Sequence, residues 1–250
     1  MATDNKFHRL IEQAVAQSFS GWDFSFVEGR LTEAPVSWDY HTLVEQRLRS
    51  ANAVLDMCTG GGEFLDSFGV LPGTTVATEG FAPNVAIARE RLKRRGIEVV
   101  PFETDHQLPL PDNTFDLVIN RHGAFSQPEL LRIMRSGGIF LTQQVGSANA
   151  TGINEALNAQ PPQHSDWRLS DAEGLLIAGG FSISRREEEF PAMVFRDIGA
   201  VVFYLKAIPW QIPDFEPAKY LEGLRHLHDR IEVDGLFEVK AHRFLLEAIR

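Results

Sequence analysis

Asp56 closes the apolar run Val54-Leu55-Asp56-Met57, and Cys58-Thr59 then leads into Gly60-Gly61-Gly62 and Glu63-Phe64-Leu65. An acid at the end of a buried strand, a turn through three glycines and a helix start together make a site for a nucleotide-type cofactor. Glycine lets the backbone turn tightly and lets a ligand approach closely, because no Cβ stands in the way. A helix that begins at such a turn points free N–H groups at whatever sits there. The loop has no lysine and no Ser/Thr placed to hold magnesium, which argues against a triphosphate and for a nucleoside with a short charged tail. A dinucleotide site would want G-x-G-x-x-G. Gly60 and Gly62 supply the first two glycines, but the third position holds Leu65.

Four further clusters fall where later strands should end. They are Glu79, Thr104-Asp105, Asn120-Arg121-His122 and Gln143-Gln144. In open α/β sheets, ligands sit at the carboxyl ends of the strands, where the strand order reverses, so these clusters are read together. An acid at Glu79 suits a ribose diol, and an acid after the third strand suits an adenine amine.

The elements that must position these residues follow from periodicity. Phe7, Leu10, Ile11, Ala14, Val15 and Ser18 predict an amphipathic helix over 5–19. Residues 20–36 read as loop, and Ser37 as the cap of a helix reaching about Leu48. From Asn52 the rhythm becomes strand–helix alternation, with strands predicted at 53–57, 75–79, 98–102, 115–120, 138–145 and 181–186. A helix over 128–135 precedes the fifth strand. A Ser170–Glu173 capping box opens another helix, which Gly179-Gly180 closes. Pro83 and Gly96 bracket the helix after the second strand. This alternation predicts a doubly wound, Rossmann-like α/β fold with a mainly parallel sheet. Beyond it, 193–207 is expected to be helix, Tyr220, Leu224, Leu227 and Ile231 mark another helix, and 237–249 is expected to be one final strand. Residues 1–50 read as an N-terminal helical cap and 51–250 as the core, with 190–234 inserted as a second cap segment.

The bulk numbers narrow the partners. The 250 residues are 44% hydrophobic, enough for a sizeable core, and the net charge is −10. A phosphate-backbone partner usually demands a basic stripe. The nearest thing is Arg89, Arg91, Lys93, Arg94 and Arg95 on one helix, better read as a solvated face, so nucleic acid is not the expected partner. The one cysteine, Cys58, permits no disulfide within the chain. No signal-peptide core or membrane-length apolar run is present, so a cytoplasmic protein without membrane association is expected, monomeric or homodimeric. No metal site is expected; His226 and His228 stand two apart on a helix and do not face each other.

With these residues in order, the sequence resembles the class I S-adenosylmethionine-dependent methyltransferases, most of all the small-molecule type 11 branch. Its later portion resembles a group of uncharacterised bacterial members. The marks are Val54–Gly62, Ala77-Thr78-Glu79, Leu108–Asn120 and Arg135–Phe140, four matches in the right order across about residues 50–150. The resemblance implies a seven-stranded sheet with an antiparallel last strand. It also implies S-adenosylmethionine as cofactor and S-adenosylhomocysteine as product. By the same resemblance Asp56 orients the loop and the methionine amino group, Gly60 and Gly62 let the backbone pass under the cofactor, and Glu79 holds the ribose. Thr104 and Asp105 flank the adenine, Asn120 lies beside the methionine portion, and Cys58, Thr59 and Gly80 complete the cofactor set. Two positions depart from the pattern. Cys58 replaces the first loop glycine, and the usual acid before Leu-Pro aligns with Thr104, one place ahead of Asp105.

Methyl transfer from a sulfonium needs alignment in a dry pocket, and needs a base only if the nucleophile must lose a proton. His122 is the candidate base; the alternative is a histidine bonded to the loop backbone or to a partner such as Glu79. Arg121 is a candidate anchor for an acidic acceptor, or else half of an ion pair. Gln143 and Gln144 alternate along a strand, so one faces the site. Trp38, Tyr40 and Trp210, with Trp22, are candidate acceptor-pocket aromatics or core under a cap. Alkylation of Cys58 is expected to block ligand binding. The expected reaction is in-line methyl transfer to a small molecule. The alternatives are methylation of RNA or protein, or a non-catalytic S-adenosylmethionine-binding sensor or partner protein.

Overall fold

Strands that are apolar at every position, as in Ala53–Met57, must be covered on both faces, and that requirement produces a sheet layered between helices. The computed structural model describes residues 2–19, 23–163 and 166–250 and divides into two units. In chain order the helices are α1 (Ala2–Ala16), α2 (Tyr40–Leu48), α3 (Glu63–Asp66), α4 (Ala82–Lys93), α5 (Gln127–Ile133), α6 (Thr151–Ala156), α7 (Leu169–Ala178), α8 (Ile198–Ala207) and α9 (Leu221–Asp234). The strands are β1 (Leu31–Glu33), β2 (Ala53–Met57), β3 (Thr74–Glu79), β4 (Glu98–Pro101), β5 (Phe115–Arg121), β6 (Met134–Val145), β7 (Ser182–Glu189), β8 (Ala192–Phe195), β9 (Phe237–Lys240) and β10 (Arg243–Ile249).

One unit comprises residues 37–145, 168–188 and 244–250 and carries a seven-stranded sheet in the order β4-β3-β2-β5-β6-β10-β7. The strands are mostly parallel and the last one, β10, is antiparallel, as the sequence resemblance implies. The chain runs outward through β2, β3 and β4, then returns to lay β5 on the other side of β2. That reversal opens a crevice at the carboxyl ends of β2 and β5. The register places Met57 beside Asn120 and Asp56 beside Ala77, so the chemistry-bearing ends of three neighbouring strands come together. Behind them Leu65, Ala77, Val85, Ala88, Leu92, Ile97 and Val99 form an apolar cluster.

The other unit comprises residues 1–36, 146–167 and 189–243. It contains a three-stranded antiparallel sheet, β1-β8-β9, and an apolar core that includes Phe7, Ile11, Ile153, Phe195, Phe203 and Leu227. The units thus divide at Val36, whereas the sequence reading set its N-terminal segment at 1–50.

Several expectations are corrected. Residues 193–207 are not one helix. Ala192–Phe195 alternates in burial and pairs with two strands, and Asp197 then starts α8 by accepting from Ala200 N at 2.9 Å. Residues 237–249 are not one strand but β9 and β10, which belong to different sheets. The stretch 20–36 holds the strand β1. Asp39, rather than Ser37, caps α2, accepting from Thr42 N at 3.2 Å and from its hydroxyl at 2.6 Å. In place of the Ser170–Glu173 box, α7 opens with Asp171 accepting from Arg168 N at 3.0 Å.

Candidate functional site

The turn after β2 passes through left-handed backbone at Cys58, Gly60 and Gly62, with φ of 61°, 64° and 82°. Glycine adopts that region freely; an L-residue does so at a cost. Cys58 therefore takes a left-handed backbone, which glycine would adopt without that cost. Thr59 N donates to Thr78 O at 2.9 Å and Gly62 N to Thr59 O at 3.0 Å. Thr78, fully buried on β3, was not anticipated; it fixes the loop through its backbone carbonyl, and its hydroxyl lies 3.4 Å from Cys58 N.

Two carboxylates anchor the loop. Glu79 Oε2 accepts from Gly60 N and Oε1 from Phe81 N, both at 2.7 Å. Each oxygen has a second lone pair, so the group retains accepting capacity for a diol. Asp56 is buried, and its Oδ2 accepts from the Thr59 hydroxyl at 2.6 Å. Burial pushes its pKa up to about 7; the Thr59 bond pulls it down, Glu79 adds to the rise and Arg121 opposes it. Among the described residues no lysine or arginine forms an ion pair with Asp56. A buried acid without a paired cation suits a cationic ligand group.

Asn120 is fully buried and its side chain braces the crevice. Nδ2 donates to Met57 O at 3.2 Å, while Oδ1 accepts from Thr142 Oγ1 at 3.0 Å and Gln144 Nε2 at 2.6 Å. Gln144 Nε2 also reaches Gly123 O at 3.0 Å. The Tyr40 hydroxyl lies 2.9 Å from Leu141 O and 3.0 Å from Asn120 O, and accepts from Asn120 N at 3.2 Å. Burial drives its pKa far above the usual phenol range. Tyr40 and Asn120 thus hold the ends of β5 and β6, and the Asn120 side chain is taken up by protein partners.

Gln143 and Gln144 are both buried but turn to different neighbours. Gln143 Oε1 accepts from Trp38 Nε1 at 2.8 Å, and its Nε2 stands 3.0 Å from His122 Nε2. His122 is exposed, with a left-handed φ of 63°. Arg121 is exposed and lies over the Phe64 ring at 5.2 Å, and Phe64 stacks on Tyr40. Among the described residues no carboxylate pairs with its guanidinium, so the ion-pair alternative does not hold. Phe64 was missed because one aromatic in a short helix carries no sequence signal.

Gly80 packs against Phe102, which a Cβ would meet at 3.1 Å. Thr104 is exposed, its hydroxyl facing His106 N at 3.3 Å, and Asp105 is half-buried, 3.7 Å from His106 Nε2. The Cys58 thiol is pushed up to about 12 by burial and by the carboxylates of Glu79, Asp56 and Asp105, which makes it a poor target for alkylation. Trp210 belongs to the other unit, where its carbonyl accepts from Gln163 N at 2.9 Å. Trp22 lies outside the described residues.

This is a Rossmann-like methyltransferase architecture with its strand-end crevice furnished by Asp56, the glycine loop and Glu79. Residues 55–142 match the family described as a methyltransferase domain, so the segment that carries the crevice is a methyltransferase domain. A domain of this kind implies S-adenosylmethionine as its cofactor. Among curated proteins, the ubiquinone/menaquinone biosynthesis C-methyltransferase UbiE of a Marinomonas strain is 27% identical over 154 residues, 56% of this chain and 59% of that protein. The demethylmenaquinone methyltransferase of Listeria welshimeri is 25% identical over 62% of this chain and 69% of its own length. The chain thus spans between about half and two thirds of the curated relatives it matches. A methyltransferase candidate from Bacillus halodurans has a similar fold, with a TM-score of 0.59 at 18% identity, covering 84% of this chain and 97% of its own. So does the [4+2]-cyclase SpnF, with a TM-score of 0.54 at 17% identity, covering 98% and 94%. These two likenesses concern the fold alone.

Proposed function

We propose that this protein transfers the methyl group of S-adenosylmethionine to a small-molecule acceptor. The observation that carries the reading is the unpaired buried carboxyl of Asp56 beside a glycine loop whose Gly60 amide is tied to Glu79. The residues fit the group in three ways. Asp56 answers an ammonium, Glu79 keeps lone pairs for a ribose diol, and Gly60 and Gly62 let the backbone run close to a ligand.

When bound, the sulfonium supplies an already activated methyl. The residues of the chain hold and orient. Asp56 and Glu79 fix the two polar ends of the cofactor. The Asn120–Thr142–Gln144 network keeps the end of β5 rigid, and rigidity at a reacting centre is worth rate. Thr104 and Asp105 flank the adenine. Arg121, held over Phe64, offers a guanidinium to an acidic acceptor. Gln143, Trp38 and Tyr40 line the acceptor side of the same strand ends. That the UbiE relatives are C-methyltransferases of ubiquinone/menaquinone biosynthesis supports a small organic acceptor, and the net charge of −10 weighs against RNA.

The test is formation of S-adenosylhomocysteine by the intact chain with a panel of phenols, quinols, stabilised enols and amines. Turnover with at least one supports the reading. Cofactor binding with no turnover on any of them favours the sensor alternative.

A further inference from the structure

Trp38, Gln143 and His122 stand in line, and the chemistry of the first decides that of the last. An indole Nε1–H can only donate. Here it stands 2.8 Å from Gln143 Oε1, with both side chains buried. With its oxygen held there, the amide presents Nε2, a donor with no lone pair to offer, to His122 Nε2 at 3.0 Å. Two donors cannot share a hydrogen bond, so His122 Nε2 must carry the lone pair. The reversed amide would set an NH₂ against the indole N–H and leave a buried donor unpaired. The backbone holds the ring to this partner: His122 N donates to Gln143 O at 2.8 Å, and Asn120 two residues earlier is fully buried and braced.

We propose that Trp38 and Gln143 are positioning residues that hold His122 in the neutral tautomer with its proton on Nδ1. A free imidazole side chain prefers the proton on Nε2, so the network inverts that preference. In the state it imposes, the ring's lone pair is engaged and its donor is Nδ1–H. His122 then acts as a hydrogen-bond donor and does not take a proton from the acceptor. This consequence rests on the methyl-transfer reading; the tautomer does not. The acceptor class that fits is one whose nucleophile reaches the site already ionised, such as a phenolate or a stabilised enolate. Such an anion gains the methyl, ends uncharged, and has no proton to dispose of. Arg121, at the same strand end, carries the charge that would attract it.

The experiment is a long-range ¹H–¹⁵N correlation spectrum of the full chain at pH 8. The His122 ring is assigned among the eight histidines by its loss in His122→Gln. The expected result is a pyrrole-type Nδ1 and a pyridine-type Nε2, with that tautomer favoured at least about tenfold. Gln143→Glu replaces the amide by a carboxylate that accepts from both neighbours, and should move the ring proton to Nε2 or add a second one. Trp38→Phe frees the amide to turn and should give a mixture of tautomers. If Trp38→Phe does not fold, the Gln143→Glu spectrum decides alone. A wild-type ring protonated on Nε2, or a Gln143→Glu ring identical to wild type, would overturn the proposal. A Trp38→Phe ring that keeps the pure Nδ1–H form would remove Trp38 from it. The spectra need no cofactor, so failure of the methyl-transfer reading would appear separately, as the expected tautomer in a protein that binds no S-adenosylmethionine.

Discussion

Cys58 and Gly123 share a space that holds one side chain. A Cβ on Gly123 would stand 2.5 Å from Cys58 Cβ, 2.8 Å from its sulfur and 2.8 Å from Asn120 Nδ2. The cysteine that replaces the loop glycine is therefore accommodated by a glycine after β5, on the facing side of the crevice. Gly123→Ala should destabilise the protein by about 1–3 kcal/mol through overpacking. Cys58→Gly alone should change stability by less than about 1 kcal/mol, because relief of the left-handed strain is offset by greater freedom in the unfolded chain. In the double variant part of the Gly123→Ala cost should disappear, and the 2.8 Å approach to Asn120 Nδ2 should account for what is left. Urea unfolding of the four proteins measures this coupling, and strictly additive effects would contradict it.

The two 2.7 Å bonds from Gly60 and Phe81 to Glu79 make that carboxylate both a loop clamp and a ribose ligand. Hydrogen bonds to a charged group are worth more than neutral ones. Glu79→Ala should weaken S-adenosylhomocysteine binding by roughly 10- to 100-fold, read by calorimetry. Glu79→Gln can still accept one loop amide through its oxygen and should lie between the two. Unchanged affinity in Glu79→Ala would remove Glu79 from the cofactor site.

Asp56 makes cofactor binding depend on pH in a definite direction. Its folded pKa of about 7 lies above the unfolded value of 3.8, so the native state holds the extra proton between those values. The free protein therefore loses stability as pH rises through that window. A bound ammonium favours the carboxylate, so affinity should rise with pH up to about 7 and then level off. Between pH 5.5 and 7.5 the gain should be about 25-fold, with proton release visible as a buffer-dependent binding enthalpy. Asp56→Asn should bind weakly and abolish the dependence. Affinity that falls over this range would contradict the assignment.

The parallel part of the fold was readable because its strands are short apolar runs closed by turn residues, and 53–57 is identical in sequence reading and structure. The loop at 58–62 was equally legible, since glycine spacing reports backbone conformation directly. The end of the chain was not. Residues 193–207 and 237–249 are apolar runs broken by only a few charged residues, and periodicity does not reveal that Asp197 caps the start of α8 or that the break at Ala241-His242 passes the chain between sheets. Within the site, Asp56 and Glu79 follow from strand-end position. The Trp38–Gln143–His122 line joins residues 105 positions apart at its first bond. The β5–β6 register sets Gln143 opposite Arg121, next to His122, and Trp38 reaches it from the turn before α2, so no local pattern announces the line.

The crevice at the carboxyl ends of β2 and β5 is the proposed seat of S-adenosylmethionine. Isothermal titration of the intact chain with S-adenosylmethionine and S-adenosylhomocysteine at pH 7.5 tests it most directly. Binding of both at one site per chain, lost or strongly weakened in Asp56→Asn and Glu79→Ala, is the predicted result. Absence of binding by either compound to the folded wild-type protein would contradict it.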